Sequence, residues 1–227
     1  MSSKNICLIG ASSDLGIEIA KLCKEIDGLY VYGVSQSNAE IDGLYERVLS
    51  ISSYDTRKQE ITAFVRENEI SDIILLNGYI GKNNHPVEKI VQINLSIPLA
   101  LISHLEDSNL KNITYTVISS LAASRPRNKN YVYGLSKYML EESLLSRPTG
   151  RYIIFRSGFI RTKMTKDHKE PPFSKNPEQV AEKIINSITN NQKRISIKYS
   201  SFQVMFLFYI FKVIPLYILN TIERKLL

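Results

Sequence analysis

The stretch Lys4-Asn5-Ile6-Cys7-Leu8-Ile9-Gly10-Ala11-Ser12-Ser13-Asp14-Leu15-Gly16 decides the fold. An apolar run of strand length, Asn5–Ile9, stops at a glycine. Beyond the turn, Ile17, Ile19, Ala20, Leu22 and Cys23 recur at helical spacing. A glycine at such a turn lets the backbone approach a pyrophosphate, and Gly16 lets the helix pack closely on the strand. The helix N-terminus then offers N–H groups and a positive dipole end to an anion. Gly10, Ser12, Ser13, Asp14, Leu15 and Gly16 are therefore candidates for holding a dinucleotide. By itself the signal is weak, because any strand-to-helix turn favours small residues. Asp14, an acidic group beside this anion site, is read as a cap on the helix that follows.

The same alternation continues along the chain. Strands are expected at Leu29–Val34, Arg47–Ile51, Ser71–Leu76, Ile113–Ser119, Arg151–Phe155 and Ile195–Lys198. Helices are expected at Gly16–Ile26, Thr56–Asn68, Val87–Leu105, Tyr133–Leu145 and Pro177–Thr189. Strands alternating with helices predict an α/β fold with a doubly wound parallel sheet, whose ligands sit at the carboxyl ends of the strands. At 227 residues and 44% hydrophobic, the chain suits one such domain over residues 1–200, with a hydrophobic and basic tail over 201–227. Cys7 and Cys23 have neither metal-ligand nor disulfide-framework spacing, and the three histidines, His85, His104 and His168, are scattered, so no metal site is expected. The short run Ile6–Ile9 does not read as a signal peptide, and a cytoplasmic location is expected.

Four features bear chemistry. Tyr133 and Lys137 lie four apart on a helix, so phenol and ammonium share a face. Tyrosine titrates near about 10, and a neighbouring cation lowers that value. Such a pair gives a proton to a carbonyl oxygen while hydride reaches its carbon. Ser120 closes strand five, thirteen residues before Tyr133; Ser119 takes its place if the register is off by one. Asn94 lies on the preceding helix, and Asn77-Gly78 closes strand four.

In order and spacing these residues resemble the short-chain dehydrogenase/reductase family, over about residues 5–165. The resemblance implies a Rossmann-type fold and an NAD(P)(H)-dependent oxidoreductase. It implies that Tyr133 is the general acid in reduction, that Lys137 lowers its pKa and binds the nicotinamide ribose, and that Ser120 bonds the substrate oxygen. Asn94 would support a water relaying protons from Lys137. The glycine turn departs from the family at Asp14, where a glycine is usual. Ser52 aligns with an aspartate near the adenine. Ile160 and Thr162, after strand six, match a segment that contacts the nicotinamide amide, with Ser157 where proline is usual. Strand two ends in Ser35-Gln36-Ser37, which has hydroxyl and amide donors and no carboxylate to repel a 2′-phosphate, so NADP(H) is favoured over NAD(H).

Basic and acidic residues balance through residue 160, so the whole net charge of +7 lies in residues 161–227. With no nucleic-acid motif present, an anionic lipid or a phosphorylated substrate is preferred; a plain solvated surface is the alternative. Lys163, Lys166 and Lys169 would share a face if the stretch after Thr162, the family's substrate lid, were helical. Val204–Leu219 is apolar save Lys212, and is interrupted by Pro215. As one helix it would span about 24 Å, short of a hydrocarbon core of about 30 Å. With Lys193, Arg194 and Lys198 before it and Arg224 and Lys225 after, the tail is read as lying on the inner membrane surface, with a dimer interface, core cover or true span as alternatives. The tail and the Gly-x-Ser-Ser-Asp-x-Gly turn resemble reductases of polyprenyl-phosphate keto-sugars, such as the type in decaprenylphosphoryl-arabinose synthesis. That implies a phosphorylated or lipid-linked keto-sugar or similar ketone as substrate. A soluble reductase of acyl or small carbonyl substrates and a non-catalytic dinucleotide-binding subunit are the other readings. The resemblance also implies a homodimer or homotetramer.

Overall fold

The computed structural model describes residues 3–36, 43–110, 112–128 and 130–225. Seven strands, β1 (Lys4–Ile9), β2 (Leu29–Ser35), β3 (Arg47–Ser50), β4 (Asp72–Leu75), β5 (Thr114–Ser120), β6 (Arg151–Ser157) and β7 (Ile195–Tyr199), form one sheet. Their order is β3-β2-β1-β4-β5-β6-β7, with every pairing parallel. The order reverses between β1 and β4, which opens a crevice at their carboxyl ends. This is the expected doubly wound, Rossmann-type α/β architecture.

Side-chain alternation along the strands builds a core on each side of the sheet. Cys7, Ile9, Ile73, Leu75, Tyr115 and Tyr152 face α2 (Lys58–Glu67), α4 (Ile97–Asp107) and α5 (Tyr131–Leu145). Ile6, Leu8, Ile74, Ile153 and Phe155 face α1 (Asp14–Lys24) and α6 (Pro177–Thr189). A strand buried on both faces has no polar side, which is why these runs read as continuously apolar.

The expected helix Val87–Leu105 is in three parts: α3 (Val87–Val91), a π-helical turn (Gln92–Ser96) and α4. Proline supplies the reason. Pro98 has no N–H to give the carbonyl of Asn94, so the regular ladder cannot pass through this point. The tail is likewise two helices, α7 (Phe202–Val213) and α8 (Leu216–Lys225), separated at Ile214–Pro215. Pro215 thus interrupts the run Val204–Leu219 as expected, and no described helix is long and apolar enough to cross a membrane. The lid after Thr162 forms turns rather than a helix, so the shared face of Lys163, Lys166 and Lys169 is not built.

Tyr45 ties the second core to the glycine turn. Its ring is buried and its hydroxyl lies 2.7 Å from Ala11 O and 3.2 Å from Gly16 O. Tyr45→Phe leaves these buried carbonyls without their donor. Urea denaturation should show a loss of about 1–2 kcal/mol of unfolding free energy, and an unchanged midpoint would contradict this role.

Candidate active site

Helix α5 runs past the carboxyl ends of β4 and β5, and its turns bring Tyr133 and Lys137 onto that surface. Lys137 is buried, and its Nζ donates to Ile118 O at 2.9 Å and to Asn77 O at 3.2 Å. One ammonium thus joins β5 and the loop after β4 to α5. Nζ lies 6.0 Å from the centre of the Tyr133 ring. Burial pushes the lysine pKa down to about 8, with Glu141 acting in the opposite sense. For Tyr133 burial is again the larger effect and raises its pKa, while a hydrogen bond with Ser120 opposes it. Burial, with Ser120 opposing it, accounts for the direction at Tyr133 in the cofactor-free chain.

Ser120 caps the short 3₁₀ turn Leu121–Ser124, accepting from Ala122 N at 3.2 Å, and it is the serine that meets Tyr133. Ser119 points to the opposite side, where its hydroxyl donates to the buried Glu141. Of the two serines, Ser120 is thus the one on the Tyr133 side. Asn94 is fully buried in the π-helical turn. Its Oδ1 accepts from Tyr79 N at 3.1 Å, and its Nδ2 donates to Tyr79 O at 2.7 Å and Ile90 O at 2.8 Å. The amide therefore braces the loop carrying Asn77 and Gly78, and Lys137 bonds to that loop rather than to Asn94.

In the glycine turn, Gly10 has φ +95°, in the region that favours glycine, and a Cβ on Gly16 would lie 2.7 Å from Ala11 O. The cap of α1 is Ser13, whose Oγ accepts from Gly16 N at 3.1 Å. The reading of Asp14 as the cap is thus corrected. Its carboxylate accepts from Lys163 N at 2.6 Å, with Lys163 Nζ 3.7 Å away, and so holds the segment after β6. That segment is further pinned by Thr165, whose Oγ1 donates to Ile160 O at 2.6 Å and accepts from Thr162 N at 3.0 Å. Met164 reaches across to Gly78, where an added Cβ would lie 3.7 Å from its Sδ. Asp14, Arg161, Thr162, Lys163 and Lys166 line a cavity of about 450 Å³ between turn and lid.

At the ends of β2 and β3, Ser35 Oγ donates to Ser12 Oγ at 3.0 Å and Gln36 Nε2 to Ser52 O at 3.3 Å. These four candidates therefore gather at one edge of the crevice, while Ser37 lies outside the described residues. Leu15 is buried in the second core and can offer only backbone to a ligand. A dinucleotide fits this set. Gly16 leaves no room for a side chain, and among the described residues Asn77 Oδ1 is a buried acceptor with no partner, suited to a ligand hydroxyl.

Thr165, Tyr45, Arg156 and Glu141 were not singled out from sequence. The last two had a signal: a charge closing the apolar run Tyr152–Phe155, and a carboxylate one helical turn past Lys137.

No protein-family model matches the chain, and no curated protein matches it in sequence. Solved structures do match in fold. A short-chain dehydrogenase of Burkholderia cenocepacia in complex with NADP superposes with a TM-score of 0.76 at 13% identity, covering 94% of this chain and 99% of that one. The ligand-free aldohexose dehydrogenase of Thermoplasma acidophilum gives 0.68 at 16% identity, covering 89% and 95%. An alcohol dehydrogenase of Thermococcus sibiricus, complexed with 5-hydroxy-NADP, gives 0.71 at 15% identity, covering 87% and 96%. The fold is that of the short-chain dehydrogenases.

Asp14 is a side chain of the turn bonded to the lid backbone. Asp14→Ala should speed hydrogen exchange of the Lys163 amide by about tenfold or more, the equivalent of a lost charge-assisted bond. An unchanged rate would show that other contacts hold the lid.

Proposed function

We propose that the chain is an NADP(H)-dependent ketoreductase of the short-chain dehydrogenase kind, acting on a phosphorylated or lipid-linked keto-sugar or a similar ketone. The observation that carries this reading is the convergence of Ser120, Tyr133 and Lys137 at the mouth of the β1/β4 crevice. When bound, the dinucleotide would supply the hydride. The chain would handle the proton. Ser120 Oγ and the Tyr133 hydroxyl bond the carbonyl oxygen, and Tyr133 gives its proton to that oxygen as negative charge develops there. An ammonium has three donors and Lys137 spends two on carbonyls, which leaves one for a ribose hydroxyl. Asn77, Gly78, Ile160 and Thr162 would border the nicotinamide side. Asn94 would serve through the loop it braces.

The NADP preference rests on Ser12, Ser35, Gln36 and Ser52, hydroxyl and amide groups without a carboxylate among them. Two of the solved neighbours bear NADP or a derivative of it, and a third is named for an aldohexose. Around the cavity under the lid, Arg161 and Lys163 pair with Glu170 and Asp14, which leaves Lys166 to attract an anionic group on the substrate. α5 also exposes Tyr131, Leu135, Tyr138 and Met139 along one stripe, which supports a homodimer or homotetramer built through this helix.

The tail supports the lipid-linked part of the reading. Val204 and Phe208 pack on the domain, whereas Phe202, Phe206, Tyr209 and Val213 form one exposed stripe along α7. α7 borders the site: Arg125 donates to Lys212 O at 3.0 Å, and Arg127 lies over the Phe211 ring at 4.8 Å. Lys193, Arg194 and Lys212 are exposed nearby in sequence, whereas the Arg224 and Lys225 side chains lie outside the described residues. An apolar stripe with basic flanks suits an anionic bilayer surface.

The test is a panel of phosphorylated and lipid-linked keto-sugars with NADPH, followed at the nicotinamide absorbance band. Tyr133→Phe should cut turnover by about 10²–10⁴-fold while fluorescence titration still finds NADPH binding, tighter than NADH. Retained turnover would remove the mechanism, and tighter NADH would remove the cofactor preference. Phe206→Ser with Val213→Ser, both on the open face, should abolish cosedimentation with phosphatidylglycerol-containing vesicles. Unchanged sedimentation, or none by the parent protein, would remove the membrane reading and favour the soluble reductase.

A further inference from the structure

The segment after β6 touches both walls of the β1/β4 crevice within two residues. Lys163 N donates to the Asp14 carboxylate, on the turn after β1, at 2.6 Å. The next side chain, Met164, lies against Gly78 in the loop after β4. A Cβ added to Gly78 would sit 3.7 Å from Met164 Sδ and 3.8 Å from its Cε. Consecutive residues therefore bridge the mouth in which a dinucleotide would lie. The base of the segment is tied down. Arg161 Nε donates to Glu170 Oε1 at 2.9 Å, Arg161 N donates to Lys175 O at 2.9 Å, and Thr165 Oγ1 joins Ile160 O to Thr162 N. The tip is held lightly, since Met164 is 42% exposed and the Lys163 side chain projects into solvent. A fixed base with few contacts at the tip describes a piece that opens locally, without unfolding the domain.

We propose that Lys163 and Met164 form a strap closed across the crevice of the cofactor-free chain, with Asp14 as its catch, so that a dinucleotide enters only when the strap is open. This rests on the reading of the crevice as a dinucleotide site. The catch depends on the carboxylate: a glycine at position 14 would offer Lys163 N no side-chain acceptor. Met164 makes the second contact by apolar packing, which carries no charge. Two forces therefore slow the entry of an anionic dinucleotide, the closed strap and the negative charge of Asp14. Because Met164 belongs only to the first, the two can be separated by experiment.

The test uses the full chain and two variants, Asp14→Ala and Met164→Ala. Stopped-flow fluorescence should show NADPH associating about tenfold faster with Asp14→Ala, which loses both the catch and the charge. Met164→Ala leaves the charge of the turn unchanged and should associate about threefold faster or more. Unchanged association with Met164→Ala would overturn the proposal whatever Asp14→Ala does, because relief of charge repulsion alone quickens the latter. A second measurement needs no cofactor. If the two contacts open together, Met164→Ala should also speed hydrogen exchange of the Lys163 amide by about threefold, although Asp14 is intact. An unchanged Lys163 amide would show two independent contacts and overturn the strap. Faster exchange in a chain that binds no dinucleotide, as parent or variant, would uphold the closure and count against the functional reading alone.

Discussion

The burial of one ammonium group organises the carboxyl edge of this sheet. Lys137 is charged, almost wholly removed from water, and satisfied by carbonyls at the ends of two neighbouring structural segments. A charge in that position is tolerable only if the backbone around it is held still. The surrounding architecture meets that demand. The π-helical turn places Asn94 so that its amide clasps Tyr79, which fixes the loop bearing Asn77. β5 continues through Ser120 and so presents Ile118 O to the lysine and Ser120 Oγ to Tyr133. Behind the lysine, Glu141 and Arg156 form a neutral pair anchored in the tail.

The same edge shows how a departure from a familiar loop is absorbed. A carboxylate in the glycine turn would repel a pyrophosphate if it faced one. Asp14 instead turns to the backbone of Lys163, and the negative charge is spent on the lid. The turn and the segment after β6 are therefore joined directly, across the crevice a dinucleotide would occupy. Thr165 and Met164 reinforce this from the lid side.

Much of this was legible in the amino-acid sequence. Strand and helix existence followed from apolar periodicity, because each strand of a doubly covered sheet is apolar on both faces. The convergence of Tyr133 and Lys137 followed from helix geometry alone. What was not legible came from interactions between distant residues. Nothing local marks Asp14 as a partner of Lys163, 149 positions away. The break of the long helix had a signal in Pro98, but its consequence, Asn94 bonded to Tyr79, requires the loop to fold back. The lid lysines lacked a helix to align them, since Asp14 and Thr165 hold that segment in turns. The raised pKa of Tyr133 depends on how deeply the phenol is buried, and spacing carries no such information.

The central claim is that Ser120, Tyr133 and Lys137 surround the reacting end of a nicotinamide dinucleotide. A crystal structure of the chain with NADPH tests it without knowledge of the ketone. The account predicts the pyrophosphate on the Gly10–Gly16 turn, the nicotinamide ribose on Lys137 and the nicotinamide ring beside the Tyr133 hydroxyl. A dinucleotide bound elsewhere, or bound on the turn with its nicotinamide directed away from Tyr133, would contradict it.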